Sequence, residues 1–369
     1  MLSVIEDLEV ITLAVTPKGN WTFARLRAAD GSTGLGEATH GMGFTRASAK
    51  DDALIAEALQ RMFRHVQGRT PDDVEGFRLA ADPDLQAVGL LLCTAYSALE
   101  QAMWDLHGKQ LAVPMHRLLG ERIKDAVPCY ANINRAVVER SPESFAEHAS
   151  LVVAEGFRCL KAAVFDDYPD AAADLGIARL QAMRDAVGPE IDLMVDCHSR
   201  FDQATAIDVA RRLEPLQLSW YEEPVDPADE RTTAAIRRAI PQRIAAGEMH
   251  FELEGFRPLL EAQAVDVIMP DVKHCGGLAE GVRIAHAAEQ RGVEVSPHNP
   301  SGPVSMAASA HLASVLPNCR RLEHAWGEVE WRAELLDPPE QFRDGALVLS
   351  NRPGLGHELN AGVVARYRT

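Results

Sequence analysis

The sequence lacks the features that mark several large classes of protein. None of its six cysteines forms a Cys-x-x-Cys pair, and they are scattered along 369 residues. This spacing argues against a disulfide framework or a zinc knuckle and favours buried thiols in a reducing compartment. The opening stretch, MLSVIEDLEVITLAV, carries acids and has no basic start. We therefore expect a cytoplasmic protein with neither signal peptide nor membrane span.

Positive charge is also scarce, since 37 Lys and Arg face 54 Asp and Glu, a net charge of -17. An anionic surface argues against nucleic acid or an acidic membrane as a partner. It does not argue against an anionic small molecule, because a bound cation can reverse the field locally. A Gly-rich phosphate loop is absent too, and we interpret GLGE at residues 34–37 as a turn between strands.

The composition, with 47% hydrophobic residues, is typical of a soluble globular protein, and the chain has two regions with different sequence patterns. Near the N-terminus, IEDLEVITLAV and WTFARLRAADGSTGLGEAT are typical of antiparallel strands. The segments SAKDDALIAEALQRMFRHV and LLLCTAYSALEQAMWDLHGKQL then have helical spacing. Strands followed by helices predict a compact α+β domain over residues 1–125.

From residue 126 onward, short apolar runs alternate with amphipathic helical segments. The runs are AVPCYANI, RCLKAAV, IDLMVD, QLSWYEE, RIAAGE, VDVIMPD, VEVSPH and CRRLEH. Nearly continuous apolar runs are typical of parallel strands that are buried on both faces. The alternation fits either a doubly wound sheet or a (β/α) barrel.

Ionisable side chains stand at or near the C-terminal ends of seven of these runs. They are Lys161, Asp196, Glu222, Glu248, Asp271, His298 and Glu323. From Asp196 on, they are 23 to 27 residues apart, which is the length of one βα unit. Because a barrel gathers these strand ends around one mouth, the spacing predicts an active site there.

Three of these groups, Asp196, Glu222 and Glu248, are carboxylates from consecutive units. Converging carboxylates repel one another, and a hard divalent cation removes that cost. Oxygen ligands favour Mg²⁺ or Mn²⁺ over zinc. Alternatively, single members of the set only bind loop amides or a lysine.

The other four groups suggest proton transfer. Asp271 can hold one nitrogen of His298, which fixes the tautomer; the alternative is a histidine bonded within a loop. Near a metal, Lys161 would have a lowered pKa and act as a base or acid, unless it forms a salt bridge to a carboxylate. Glu323 would bind a substrate oxygen or steer Lys161 or His298.

The ordered motifs VD, YEEP, AGE, MPDVKHCGG and SPH, with the segment ALEQAMWDLHGKQLAVPMHRLLG, resemble the enolase superfamily, mandelate racemase subgroup. The resemblance implies an α/β fold: a modified (β/α)₇β TIM-like barrel with an N-terminal α+β capping domain completed by the C-terminal tail. The corresponding ranges are 1–125 for the cap, 126–330 for the barrel and 331–369 for the tail.

The same resemblance implies the roles of the strand-end residues. One Mg²⁺ per subunit, with Mn²⁺ as a substitute, would be bound by Asp196, Glu222 and Glu248. Asp271 and His298 would form a dyad. Glu323 would then lie near a substrate carboxylate, and the subunits would form a homo-oligomer.

One position departs from the racemase pattern, which has Lys-x-Lys where this chain has Lys161 and Ala163. The missing second lysine argues against symmetrical racemisation. DCHSR, at residues 196–200, is instead similar to the Asp-x-His-x-Arg pattern of sugar-acid dehydratases of the galactonate dehydratase type. That similarity implies His298 as base, His198 as acid and Arg200 as a substrate contact.

The expected reaction is dehydration of a hydroxylated carboxylate. The α-proton is abstracted to give a metal-stabilised enediolate, and the β-hydroxyl leaves, which yields a 2-keto-3-deoxy acid. An epimerase, racemase or cycloisomerase using Lys161 opposite His298 is the nearest alternative. A non-catalytic binding protein and a metal hydrolase fit the residues less well.

Specificity is expected from the cap and from the first barrel strand. The Gly-rich segment THGMGFTRASA, residues 39–49, is typical of an active-site flap and offers His40, Phe44 and Arg46. YANINR offers Asn132 and Asn134 for hydroxyl contacts. A plain surface loop and a strand-end hydrogen bond are the respective alternatives.

Overall fold

The computed structural model describes residues 2–16, 19–39 and 48–369. Within these ranges the strands are β1 (Ile5–Thr16), β2 (Gly19–Ala28), β3 (Thr33–Glu37), β4 (Ala126–Asn132), β5 (Cys159–Ala162), β6 (Asp192–Asp196), β7 (Trp220–Glu222), β8 (Ile244–Ala246), β9 (Val267–Ile268), β10 (Glu294–Val295), β11 (Leu322–Ala325), β12 (Leu336–Asp337), β13 (Phe342–Arg343), β14 (Ala346–Val348) and β15 (Glu358–Leu359).

The helices in the same ranges are α1 (Ser48–Phe63), α2 (Val74–Val88), α3 (Leu90–Leu111), α4 (His116–Leu119), α5 (Pro142–Ala154), α6 (Ala173–Val187), α7 (Gln203–Leu213), α8 (Glu230–Ala239), α9 (Glu252–Glu261), α10 (Gly277–Glu289), α11 (Pro303–Val315), α12 (Arg332–Leu335) and α13 (Ala361–Tyr367). No helix within the described part of the chain is both long and apolar enough to cross a membrane.

Eight parallel strands, β4 to β11, form the barrel, and the helices α5 to α11 connect them in turn. Strands β4 to β10 pair in chain order, and β11 pairs with β4. A bridge between Val295 and Cys319 closes the gap beside β10. The predicted (β/α)₇β barrel is thereby confirmed, and each of the eight apolar runs supplies one strand.

The barrel strands are buried on both faces, as their nearly continuous apolar runs require. Met194 and Trp220 belong to a cluster drawn from the six neighbouring strands β4 to β9, which only the barrel interior can bring together. Leu193 and Val195 belong to the large core beneath the surrounding helices. Alternate residues of β6 thus point inward and outward, and the last inward position before the mouth is Asp196.

The capping domain consists of an antiparallel sheet, β1–β2–β3, covered by α1 to α3. Our interpretation of GLGE as a turn was wrong, because these residues lie within strand β3. The glycines serve close packing instead. A Cβ atom on Gly34 would stand 2.1 Å from the carbonyl oxygen of Ala102, and one on Gly36 would stand 1.9 Å from that of Ala98. Helix α3 therefore lies directly against the strand.

Helix α2 (Val74–Val88), between α1 and α3, was not predicted from the sequence. Pro83 lies inside this helix and Gly76 in its first turn, and both residues weaken the helical pattern. The side chain of Asp73 caps the helix by accepting a hydrogen bond from the Gly76 amide. A good N-cap thus offsets an unfavourable interior.

The C-terminal tail returns to the cap, as the predicted fold requires. Strand β14 first pairs antiparallel with β4 at the N-terminal end of the barrel. The chain then reaches the capping sheet, where Arg368 forms a bridge with Leu13 and the Thr369 amide donates to the Thr12 carbonyl. The exact domain boundaries, 1–125, 126–330 and 331–369, stay predictions.

Candidate active site

Three carboxylates converge at the mouth of the barrel. Asp196 ends β6, Glu222 ends β7, and Glu248 follows β8 by two residues. Each offers one oxygen, and these oxygens lie within 4.8 Å of one another. Asp196 and Glu222 are buried, and Glu248 is partly buried. The predicted three-carboxylate cluster is therefore present as a group of side chains that is able to hold a metal ion.

The cluster is electrostatically unbalanced. Burial raises the pKa of Glu222 to about 8, and the charges of Asp196 and Glu323 add to the effect that Lys161 opposes. Burial, followed by the charges of Glu223 and Asp196, raises the pKa of Glu248 well above its ordinary value. A cation bound between these oxygens would remove this penalty.

Lys161, on β5, is fully buried below the cluster and contacts three carboxylates. Its Nζ lies 2.5 Å from Glu222 Oε1, 3.1 Å from Glu323 Oε1 and 3.7 Å from Asp196 Oδ2. Burial opposes the charge, but Glu222 and Glu323 outweigh it and hold the pKa of Lys161 well above its ordinary value. The salt bridge that we considered as an alternative is present, and the lowered pKa that we expected beside a bound metal stays a prediction.

Asp271 and His298 follow the neighbouring strands β9 and β10 and form a hydrogen-bonded pair. His298 Nδ1 lies 2.8 Å from Asp271 Oδ2, and the ammonium group of Lys273 contacts the same carboxylate. Burial alone would raise the pKa of Asp271, but the Lys273 charge holds it below its ordinary value. His298 Nε2 lies 3.1 Å from Glu248 Oε2, so the free side of the ring faces the carboxylate cluster.

His198 lies on the opposite side of the barrel mouth, four strands away from His298. Its Nδ1 is 2.5 Å from Asp166 Oδ1, and its Nε2 is 2.9 Å from Asp196 Oδ2. Burial opposes protonation of the ring, but Asp196 and Asp166 outweigh it and raise the pKa of His198 well above its ordinary value. Two imidazoles, each paired with its own carboxylate, thus flank the cluster.

The predicted substrate contacts are only partly accounted for. Asn132 donates to Glu323 Oε1 at 2.6 Å, and Asn134 accepts a hydrogen bond from the Ala163 amide. Both contacts agree with the strand-end alternative. The Nε atom of Arg200 is buried and has no hydrogen-bond partner among the described residues, so it stays available to a ligand. The predicted flap contacts His40, Phe44 and Arg46 lie outside the described residues.

Sequence reasoning missed several side chains that hold the site together. Asp166 follows β5 in the acidic pair FDD and binds His198, and Lys273 in MPDVKH binds Asp271. The indole of Trp220 donates to Glu222 Oε2 at 2.8 Å. Glu223, the second acid of YEEP, accepts hydrogen bonds from the backbone amides of Gly247 and Glu248. Each lies within five residues of a strand end, which is the only signal that pointed to them.

Two family models together match most of the chain. Residues 4–120 match the N-terminal domain of the mandelate racemase/muconate lactonizing enzymes, and residues 144–363 match the enolase C-terminal domain-like family. The chain belongs to the mandelate racemase/muconate lactonizing enzyme family. The resemblance inferred from its strand-end motifs is thereby confirmed.

Relatives within this family are named for the dehydration of sugar acids. The chain is 31% identical to D-gluconate dehydratase of Thermoproteus tenax, and the match covers 85% of this chain and 64% of that protein. It is 29% identical to D-galactonate dehydratase of Ralstonia pickettii over 93% of this chain and 90% of the relative. The prediction of a lyase-class enzyme is confirmed by these relatives.

The fold agrees over the whole length with a solved member of the family. A mandelate racemase/muconate lactonizing enzyme from Jannaschia sp. CCS1 superimposes with a TM-score of 0.89 at 28% identity. The match covers 99% of this chain and 98% of that structure. The barrel and its cap are therefore the family architecture.

The residues present fit a hard divalent cation. All three converging side chains offer carboxylate oxygens, which Mg²⁺ and Mn²⁺ prefer. Glu248 Oε2 is buried and has one polar neighbour among the described residues, His298 Nε2 at 3.1 Å, so at most one contact would give way to a cation. Together these features favour a metal over a purely structural role of the cluster.

Proposed function

We propose that this chain is a Mg²⁺-dependent sugar-acid dehydratase that converts its substrate into a 2-keto-3-deoxy acid. One observation supports this proposal above the others. Two carboxylate-paired imidazoles, those of His298 and His198, flank one carboxylate cluster from opposite sides of the barrel. Removal of an α-proton and departure of a β-hydroxyl need a base and an acid in different places, and this arrangement offers both.

In this proposal His298 is the base. Asp271 accepts the hydrogen bond from Nδ1, which leaves Nε2 unprotonated and directed towards the carboxylate cluster where the substrate acid would bind. A divalent cation held by Asp196, Glu222 and Glu248 would stabilise the negative charge that develops on the substrate carboxylate. His298 then takes the α-proton and leaves an enediolate.

His198 is the proposed acid. Asp166 holds its Nδ1, and a proton on Nε2 faces the cluster beside Asp196. This proton is given to the departing β-hydroxyl, so water leaves and an enol remains, which becomes the 2-keto acid. Arg200, with its unpartnered Nε, is positioned two residues away to bind a substrate oxygen.

The alternative reaction, epimerisation or cycloisomerisation, would use Lys161 opposite His298. Its ammonium group is instead surrounded by Glu222, Glu323 and Asp196, which favour the protonated form. We therefore propose that Lys161 neutralises the inner carboxylates and that Glu323, which it contacts, supports the substrate end of the site.

The proposed reaction is tested by screening mono- and diacid sugars for 2-keto acid formation, with deuterium exchange at the α-carbon followed by NMR. We expect product from at least one sugar acid in the presence of Mg²⁺ and none in excess chelator. Exchange of the α-proton without loss of water, for every acid tested, would contradict dehydration and support epimerisation.

Substitutions distinguish the proposed roles of the two histidines. His298→Asn should abolish both α-proton exchange and dehydration, whereas His198→Asn should lose dehydration by about 10²–10⁴-fold and retain exchange. Equal loss of both activities in the two variants would contradict the assigned roles. A homo-oligomeric assembly and a cytoplasmic location, which the sequence suggests, stay predictions.

A further inference from the structure

Glu223 directly follows the proposed ligand Glu222, yet its carboxylate serves the next strand. Its Oε1 accepts hydrogen bonds from the backbone amides of Gly247 at 2.8 Å and of Glu248 at 3.3 Å. These amides belong to the segment from which the Glu248 side chain extends. The direction of Glu248 into the cluster therefore depends on a buried carboxylate from the neighbouring unit.

The backbone of Glu223 holds a second element of the site. Its carbonyl oxygen accepts a hydrogen bond from the Ser199 amide at 2.7 Å, immediately after the proposed acid His198. Pro224 continues this pairing by accepting from the Phe201 amide at 3.0 Å. Glu223 thus contacts the loop of the proposed acid His198 through its main chain, and it contacts the segment of the proposed ligand Glu248 through its side chain.

The backbone here is strained on both sides of this contact. His198, Ser199 and Glu223 have φ angles of 47°, 56° and 37°, in the left-handed region that side chains with a Cβ atom disfavour. Such conformations persist only where surrounding contacts fix them, and they cluster at functional sites. The hydrogen bond between Ser199 and Glu223 joins the two strained segments directly.

We infer that Glu223 is a positioning residue that sets Glu248 and the His198 loop relative to each other, so that cation and acid meet one substrate. This inference rests on the proposed function. It requires reach and acceptor geometry at Glu223 rather than direct ligation, since Oε1 is already engaged by two amides. An oxygen at the same distance from Cα should therefore suffice, whether or not it carries charge.

Three substitutions in the full-length protein test this requirement. Glu223→Gln keeps an acceptor at the same reach, Glu223→Asp keeps the charge but is one methylene shorter, and Glu223→Leu removes the acceptor. Mn²⁺ binding is measured by calorimetry and electron paramagnetic resonance. We expect Glu223→Leu to bind about 10–100-fold more weakly, Glu223→Asp to be intermediate and Glu223→Gln to stay close to wild type.

A matched control is Glu100→Leu in the capping domain. Glu100 also accepts hydrogen bonds from two consecutive backbone amides, those of Leu278 and Ala279, but it stands outside the barrel mouth. We expect this control to lower the unfolding temperature and to leave Mn²⁺ affinity unchanged. Equal loss of affinity in the control and in Glu223→Leu would mean that general loosening of the fold is responsible.

The opposite order, with Glu223→Asp close to wild type and Glu223→Gln weak, would overturn the inference, because charge and not reach would then matter. Wild-type affinity in Glu223→Leu would overturn it too. If Glu223→Leu does not fold, the comparison of Gln with Asp decides alone. Absence of Mn²⁺ binding or dehydration in the wild type would instead contradict the proposed function itself.

Discussion

Two sets of buried carboxylates differ in what their oxygens contact. At the junction between cap and barrel, Glu37 accepts from the Gly302 and Ser305 amides, each at 2.7 Å. Glu100, also at the junction, accepts from two amides at the start of α10 and from the indole of Trp104. A backbone amide at a helix start is a natural partner for a carboxylate.

At the barrel mouth, Asp196 accepts from one backbone amide, that of His198 at 3.1 Å, whereas the polar contacts of Glu222 and Glu248 are with side chains. Glu248 Oε2 is buried against His298 Nε2 at 3.1 Å, and Glu222 depends on Lys161 and Trp220. Both sets are acidic and buried, so burial by itself does not identify the functional site. The difference is that the junction acids are held mainly by backbone amides, whereas the mouth acids converge on one another and depend on Lys161, Trp220 and two histidines.

The strongest test of this comparison is Glu248→Gln. It removes one charge from the mouth and should weaken Mg²⁺ or Mn²⁺ binding by at least about 100-fold. Loss of a ligand should cost more affinity than loss of a residue that only positions a ligand. The measurement is calorimetric titration, with the unfolding temperature of the apoprotein recorded beside it. An unchanged titration would remove the distinction between the two sets of acids.

The complementary experiment replaces a junction acid, with Glu100→Leu, and should affect stability instead of metal binding. It leaves the buried amides of Leu278 and Ala279 without an acceptor, at a cost of about 1–3 kcal/mol for each unpaired donor. Denaturant unfolding should show this loss, while kcat of the metal-loaded protein stays near wild type. A variant of normal stability and lost activity would place Glu100 with the functional acids instead.

The smallest expected effect is on the pH dependence of the free energy of unfolding. Burial raises the pKa of Glu100 from an ordinary value of 4.5 to about 7. The folded state therefore binds the proton more tightly, so this contribution to stability is full below pH 4.5 and is lost as the pH rises through about 7. The change should not exceed about 3 kcal/mol.

Denaturant unfolding between pH 4 and 8, compared between wild type and Glu100→Gln, isolates this contribution because glutamine does not titrate. We expect the wild type to lose stability relative to the variant across this window. Parallel curves would show that folding does not shift the pKa of Glu100, and the contrast with the mouth would then rest on hydrogen bonds alone.

Much of the fold was predictable because it is repetitive. Eight apolar runs at regular spacing gave all eight barrel strands, since buried parallel strands leave a nearly continuous apolar pattern. The helix Val74–Val88 was missed because Gly76 and Pro83 weaken its local pattern. Strand β3 was mistaken for a turn, because its glycines meet a requirement of α3 that only the packed structure shows.

The positions of the candidate site residues were also predictable, but their contacts were not. The strand-end positions of Asp196, Glu222, Glu248, Asp271 and His298 follow from chain order, because a barrel brings successive strand ends to one mouth. The environment of Lys161 did not follow. Its three carboxylate contacts, which raise its pKa, come from β6, β7 and β11, and sequence spacing does not say which way a side chain points.

The sequence by itself thus determined the eight strands and the order of the ionisable groups, because these depend on periodicity along the chain. Its strand-end motifs indicated the family and, through that resemblance, the barrel. Only the tertiary structure decided the partners: Asp166 with His198, Lys161 with Glu323, and Glu223 with Glu248. Hydrogen bonds act over about 3 Å between residues that are distant or on different strands. Those distances exist only after the strands have closed into a barrel.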